Sequence, residues 1–311
     1  MPLDTASPHI VIVGAGAMGC LFAARLAEQG AQVTLVDVDR ARLAVIAADG
    51  IALTDDKGTR SVPVGAALAG DVSGPVDLVL LFTKGVHSAA AIALVKHLAQ
   101  PGTLALTLQN GVGNAELLAE VFAADSVLMG TAHLPADLTG PAAVETHGFA
   151  YVTLGGFTPA AQVHADACAH WLSKAGFDAK VADDITATVW DKLAFNAALN
   201  AVGMICAVPN AGVDNEHGRR IASSAVRETV AVATARGIAL DQAKILATVD
   251  SALREHAHHK ASMLQDREHG RRTEIDTING AVAREGARLG VPTPVCDTLT
   301  DLVRVIELAS A

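Results

Sequence analysis

HIVIVGAGAMG, residues 9–19, is an apolar, β-branched run that ends in three glycines spaced Gly14-x-Gly16-x-x-Gly19. His9–Val13 reads as a strand, because β-branched side chains suit a pleated, buried surface. From Cys20 to Gln29 the apolar spacing turns helical. A strand that enters such glycines and a helix that leaves them form a turn with defined properties. Gly14 allows the tight turn, Gly16 lets a pyrophosphate approach the backbone, and Gly19 lets helix pack closely on strand. The helix start at Ala17, Met18 and Gly19 presents free N–H groups to an anion. The six residues therefore read as a dinucleotide-binding turn.

Working outward, the next strand, Gln32–Val36, ends at Asp37. This lies near the distance of about 20 residues at which an acidic side chain meets the hydroxyls of an adenosine ribose. A carboxylate there repels a 2′-phosphate, which favours NAD(H); Arg40 and Arg42 follow closely enough to reach a phosphate and keep NADP(H) as the alternative. Asp37 and Asp39 also suit the cap of a helix that starts near Arg40. Val76–Phe82 and Thr103–Leu108 read as further strands, with helical spacing in Arg40–Ala48 and Ser88–Leu98. Ile51–Val64, broken by Asp55-Asp56-Lys57-Gly58, reads as a hairpin. This alternation predicts a parallel sheet wrapped by helices, a doubly wound, Rossmann-type α/β domain over residues 1–183. Beyond it, long Ala-rich helical patterns predict an all-helical domain over residues 184–311, interrupted at Val208-Pro209-Asn210 and Gly290-Val291-Pro292.

With 311 residues, 51% of them hydrophobic, the chain can build two cores. Lys and Arg number 23 against 33 Asp and Glu, a net charge of −10 that disfavours nucleic acid and anionic membrane as partners. Cys20, Cys168, Cys206 and Cys296 form no Cys-x-x-Cys pair, as expected of a reduced, cytoplasmic protein. Met1–Pro8 lacks the pattern of a secretion signal, and apolar runs such as Val76–Phe82 fall short of the roughly 20 residues that span a bilayer.

Polar groups follow two of the apolar strands, where open α/β sheets place ligands. Thr83-Lys84-Gly85 offers a cation, and Gln109-Asn110-Gly111 offers an amide in a turn; a solvated loop lysine and a simple Asn-Gly turn are the plain alternatives. Lys192, Asn196 and Asn200 fall at i, i+4 and i+8, so one cation and two amides share a helical stripe among Ala, Leu and Phe. Desolvation there lowers a lysine's pKa toward the range of a general acid. The competing reading is a solvent-facing stripe. Lys260–Asp266 and Arg271–Gly280 read as ordinary charged helices, with Glu274 and Asp276 as surface charges.

In their order and spacing these stretches resemble the ketopantoate reductase (2-dehydropantoate 2-reductase) family over nearly the whole chain. The resemblance rests on the N-terminal glycine turn, Lys84, Asn110-Gly111, Lys192-Leu-x-x-Asn196-x-x-x-Asn200, Ser262-Met-Leu-Gln-Asp266 and Thr273-Glu274-Ile-Asp-x-Ile-Asn-Gly280. It implies reduction of the C2 carbonyl of a 2-keto acid bound between the domains beside a nicotinamide. It further implies Lys192 as the general acid and Glu274 as the group that holds the lysine and the substrate hydroxyl. Asn110 lines the site, and Lys84 and Asn110 also serve the cofactor. Asn196, Asn200, Asn210 and Ser262 match substrate-binding positions. Two positions depart from the family pattern. Asp37-Val38 stands where NADPH-dependent members tend to carry an arginine, and His259 stands at a substrate-facing asparagine. The histidines of His256-Ala257-His258-His259 do not converge on one ion, so no metal is expected. The expected partner is a small 2-keto or 2-hydroxy acid, and a homodimer is left open. Competing functions are an NAD-linked dehydrogenase of another hydroxy acid and a non-catalytic nicotinamide-binding regulator.

Overall fold

Strand β1 (His9–Val13) is apolar on both faces, and the computed structural model, which describes residue 3 and residues 6–309, sets it inside a sheet. The reading of Met1–Pro8 therefore falls partly outside the described residues. After β1 come α1 (Ala17–Glu28), β2 (Gln32–Val36), α2 (Arg40–Asp49), β3 (Ile51–Asp55), β4 (Gly58–Val62) and β5 (Gly65–Ala67). Next are β6 (Leu78–Leu81), α3 (Ser88–Leu94), β7 (Leu104–Thr107), α4 (Asn114–Ala119), β8 (Val127–His133), β9 (Asp137–Gly140) and β10 (Ala143–Glu145). The series continues with β11 (Tyr151–Gly156), α5 (Ala165–Lys174), β12 (Asp178–Val181) and α6 (Ile185–Cys206). It closes with α7 (Asn210–Val213), α8 (Glu216–Ala235), α9 (Gln242–Glu255), α10 (Ser262–Glu268), α11 (Asn279–Leu289) and α12 (Pro294–Ala309). Two compact units result. Residues 1–109 and 114–185 form one, and residues 110–113 and 186–311 form the other.

In the first unit the main sheet has the order β12-β11-β8-β7-β6-β1-β2-β5. The period of two along β1 sends Ile10 and Ile12 to one face, where they pack with Leu21 and Phe22 of α1. Val11 and Val13 go to the other face, with Ile92 of α3 and Leu118 of α4. Helices therefore cover both faces, and β1 runs parallel to β2 and β6, as β6 does to β7. Their carboxyl ends share one edge of the sheet. The sheet is not parallel throughout, because β11 pairs antiparallel with β8. The expected hairpin forms as β3 and β4 and joins a second sheet, β4-β3-β10-β9. Strands β9 and β10 are three to four residues long and partly polar, too short to show a period in the sequence.

In the second unit the helices surround a core of their own that includes Leu193, Ala197, Val226, Ile245, Ile278 and Val303. Caps set the helix ends. Asn215 Oδ1 accepts the backbone N–H of His217 and Gly218 to start α8, and Asp241 starts α9 in the same way through Lys244. The Glu228 carboxylate of α8 accepts the N–H groups of Val295 and Cys296, which ties α12 to α8. Arg271–Ile278 is not helical: it forms an extended stretch and a turn before α11.

A Cβ at Gly19 would lie 1.8 Å from the Gly14 carbonyl oxygen, whereas one at Gly16 would meet nothing within 4 Å. Gly19→Ala is expected to cost at least about 1–3 kcal/mol in denaturant unfolding of the full chain, as overpacking does. Gly16→Ala should stay within about 1 kcal/mol of the unaltered protein. A Gly19→Ala protein of unchanged stability would contradict this packing.

Candidate active site

The glycine turn is held from several sides. Gly14 has φ +108°, and a Cβ there would come within 2.9 Å of Thr83 N, so only glycine lets β1 and β6 end this close together. Its N–H donates to Val36 O at 2.8 Å, which ties the turn to β2. Gly16 opens α1 with no side-chain cap and no acidic residue in the first turn. The helix start thus keeps backbone donors for an anion, and the space that a Gly16 Cβ would fill is open. These residues fit the pyrophosphate of a dinucleotide.

At the end of β2, Asp37 is bound into the same turn. Its carboxylate accepts the N–H groups of Ala15 at 2.6 Å, Val38 at 2.7 Å and Asp39 at 3.0 Å. The cap of α2 is Asp39, whose Oδ1 accepts the Arg42 N–H at 3.0 Å. Arg42 donates from Nη1 to Ala15 O at 2.7 Å, so Asp37 and Arg42 hold the N–H and the C=O of one residue. Arg42 Nε is buried without a hydrogen bond and pairs with Asp39 Oδ2 at 3.8 Å. Arg40 remains on the surface. Lys84 follows β6 as the residue before a 3₁₀ turn, Gly85–His87. Gln109 Nε2 donates to Thr83 O and, at 2.9 Å, to Ser88 Oγ, which fastens the ends of β6 and β7 together.

The second cluster lies within the helical unit. Asn196 and Asn200 are 8% and 6% exposed, so their stripe of α6 does not face solvent. Neither side-chain amide hydrogen-bonds to protein among the described residues. Lys192, two turns before Asn200, is half-buried at its surface but has protein packed densely about its amine. Burial lowers its pKa to about 8, and the charge of Glu274 opposes that shift. Glu274 is 6% exposed and accepts a hydrogen bond from Asn110 Nδ2 at 3.1 Å. Asn110 reaches it because Val112 N donates to Thr277 O at 3.0 Å, laying residues 110–113 on the 274–277 turn.

Other expected residues sit differently. Asn210 spends Nδ2 on Ala252 O and His256 O, both at 3.1 Å, which clamps α7 to the end of α9. His259 has an exposed side chain and lies past the end of α9, and its carbonyl accepts the Asn210 N–H at 3.0 Å. Burial, and then the charge of His256, lowers the His259 pKa. Ser262 is the half-buried first residue of α10. Thr83 and Thr277 were not separable in the sequence from ordinary turn residues, because what they contribute is a backbone contact, and the bonds of the Gln109 side chain to Thr83 and Ser88 depend on how the ends of β6 and β7 meet. Among the described residues no group of three or more His, Cys, Asp or Glu side chains converges to hold a metal ion, and no helix is long and apolar enough to cross a membrane.

A Cβ on Gly111, at φ +88°, would lie 2.2 Å from Thr277 O. Gly111→Ala should push Asn110 off Glu274 and lower catalytic turnover by roughly tenfold or more, as misplacement of site groups does. Gly113, at φ +99°, meets nothing within 4 Å. Gly113→Ala should cost only backbone strain of about 1–2 kcal/mol and leave turnover near normal. Equal turnover in the two variants would contradict the role of the close approach.

Residues 10–159 match the family model described as ketopantoate reductase PanE/ApbA, and residues 184–307 match that of its C-terminal part. The 2-dehydropantoate 2-reductase of Halobacterium salinarum is 32% identical over 301 residues, 96% of this chain and 99% of that protein. The enzyme of the same name from Streptococcus pyogenes serotype M1 is 29% identical over 304 residues, 96% and 97% of the two chains. Among solved structures, D-mandelate dehydrogenase with NADH and anilino(oxo)acetate superposes with a TM-score of 0.93 at 30% identity, over 97% and 99% of the two chains. A PanE/ApbA family ketopantoate reductase from Ralstonia eutropha gives 0.89 at 30% identity, over 97% and 99%. With both family models matched in sequence order, this chain belongs to the ketopantoate reductase family.

Proposed function

We propose that this chain reduces a branched 2-keto acid, ketopantoate or a close analogue, to the 2-hydroxy acid with NADH, and that Lys192 is its general acid. The observation that supports this most is a lysine amine of lowered pKa beside a buried carboxylate, on one stripe with two buried amides. The bound nicotinamide supplies the hydride that the carbonyl carbon receives. Lys192 donates a hydrogen bond to the carbonyl oxygen and gives its proton to the alkoxide as charge develops there. Glu274 raises the pKa of the amine against the effect of burial, and Asn110 holds Glu274 in place. The amides of Asn196 and Asn200 offer donors to the substrate's carboxylate and hydroxyl.

For the cofactor, Gly14, Gly16, Ala17, Met18 and Gly19 would hold the pyrophosphate, and Lys84 adds positive charge on the same edge of the sheet. Asp37 supports NAD(H): its carboxylate, fixed by three N–H groups at the end of β2, repels a 2′-phosphate. The D-mandelate dehydrogenase structure whose likeness is reported above also contains NADH. That likeness favours a second reading, the same chemistry on an aromatic 2-keto acid. Four free thiols suit a reducing compartment, and the cytoplasm is the proposed location.

Lys192 must be protonated to act, so reduction should fall as pH rises through about 8, and oxidation of the hydroxy acid should rise over the same range. Lys192→Ala should lower kcat for reduction by about 10²–10⁴ and abolish that limb. Unchanged turnover in Lys192→Ala would overturn the mechanism. Assayed with ketopantoate and with phenylglyoxylate, the protein should show a kcat/KM for NADH at least roughly tenfold above that for NADPH, a difference of about 1.4 kcal/mol. A preference for NADPH would remove the role given to Asp37.

A further inference from the structure

We propose that Asn279 is a positioning residue that holds the turn carrying Glu274 in register with the helix carrying Lys192. This rests on the reading of Lys192 and Glu274 as the reacting pair. Asn279 is the first residue of α11 and is 0% exposed. Its Nδ2 donates to Ala197 O of α6 at 2.9 Å, next to Asn196 in the stripe. Its Oδ1 is buried with no partner. A buried acceptor left unpaired costs stability, and an apolar side chain of similar shape would avoid the cost. Stability alone therefore does not account for an asparagine here.

The chain between Glu274 and Asn279 is closed on itself. Glu274 O accepts the N–H groups of Thr277 and Ile278, both at 3.1 Å, and Ile275 O accepts that of Gly280 at 2.9 Å. Such a turn moves as one piece, so whatever fixes residue 279 also fixes residue 274. Ile275 and Ile278 sink this turn into the core, yet apolar contact is non-directional and permits sliding along α6. The Nδ2 bond to Ala197 O is directional and sets the register. It thereby fixes where the Glu274 carboxylate stands along the Lys192, Asn196 and Asn200 stripe.

Asn279→Leu removes both the donor and the unpaired oxygen at nearly constant size. Its thermal midpoint should equal or exceed that of the unaltered chain, while kcat for keto acid reduction falls roughly tenfold or more. The KM for the nicotinamide cofactor should stay within about twofold, and the limb near pH 8 should move by about half a unit or more, because the field on Lys192 changes. Asn279→Ala, which also removes the donor, is read by its kcat and its limb if the leucine variant fails to fold. Wild-type kcat with the limb in place would overturn the proposal, as would loss of stability and kcat together with the limb unmoved. Lys192→Ala measured alongside separates the two levels. Normal turnover there defeats the underlying reading, whereas normal turnover in the Asn279 variants alone defeats only this inference.

Discussion

Lys192 carries an amine whose charge burial disfavours and one carboxylate restores, and the helical unit is arranged around that opposition. Taking a lysine out of water lowers its pKa, and a nearby carboxylate raises it again. Glu274 offsets part of the shift, leaving the amine at about 8, where it can hold a proton and also release one. The pair needs a third group, because a buried carboxylate must satisfy its remaining lone pairs. Asn110 does this from residues 110–113, whose close approach to the 274–277 turn requires Gly111.

The glycine turn in the first unit solves a different problem by different means. There the groups proposed to bind are backbone N–H donors, and side chains serve to hold the backbone. Asp37 and Arg42 grip the two sides of Ala15, and Gly14 and Gly19 permit approaches that a Cβ would block. Asp37 thus has two effects: it anchors the turn, and its charge acts on whatever lies beyond the end of β2. The helical unit inverts this division, with side chains as the proposed working groups and closed turns as their mounts.

Much of this was legible in the chain, for identifiable reasons. β1 is apolar on both faces, and only a covered parallel strand reads that way, so it marked the doubly wound sheet. The hairpin of β3 and β4 was visible in its turn residues, but its removal to a second sheet was not, because β9 and β10 carry too little apolar surface to announce a partner. The stripe on α6 was legible because helical spacing is periodic. Glu274 was not: it lies on a turn without period, and the stretch from Arg271 to Gly280 looked like a charged helix. Asn279 was hidden for the same reason, since its use depends on a carbonyl 82 residues away. Family resemblance reached Glu274 where spacing did not. Asn210, singled out by the same resemblance, donates its amide to the end of α9.

The most direct test is to measure the titration of Lys192 itself, by following lysine side-chain Cε resonances of the labelled protein against pH, with Lys192→Ala to assign the signal. A resonance titrating near pH 8, moving lower in Glu274→Gln as the supporting charge is lost, is the predicted result. A Lys192 signal near the ordinary lysine value of about 10.4, unmoved by Glu274→Gln, would contradict the proton-sharing pair on which the chemistry depends.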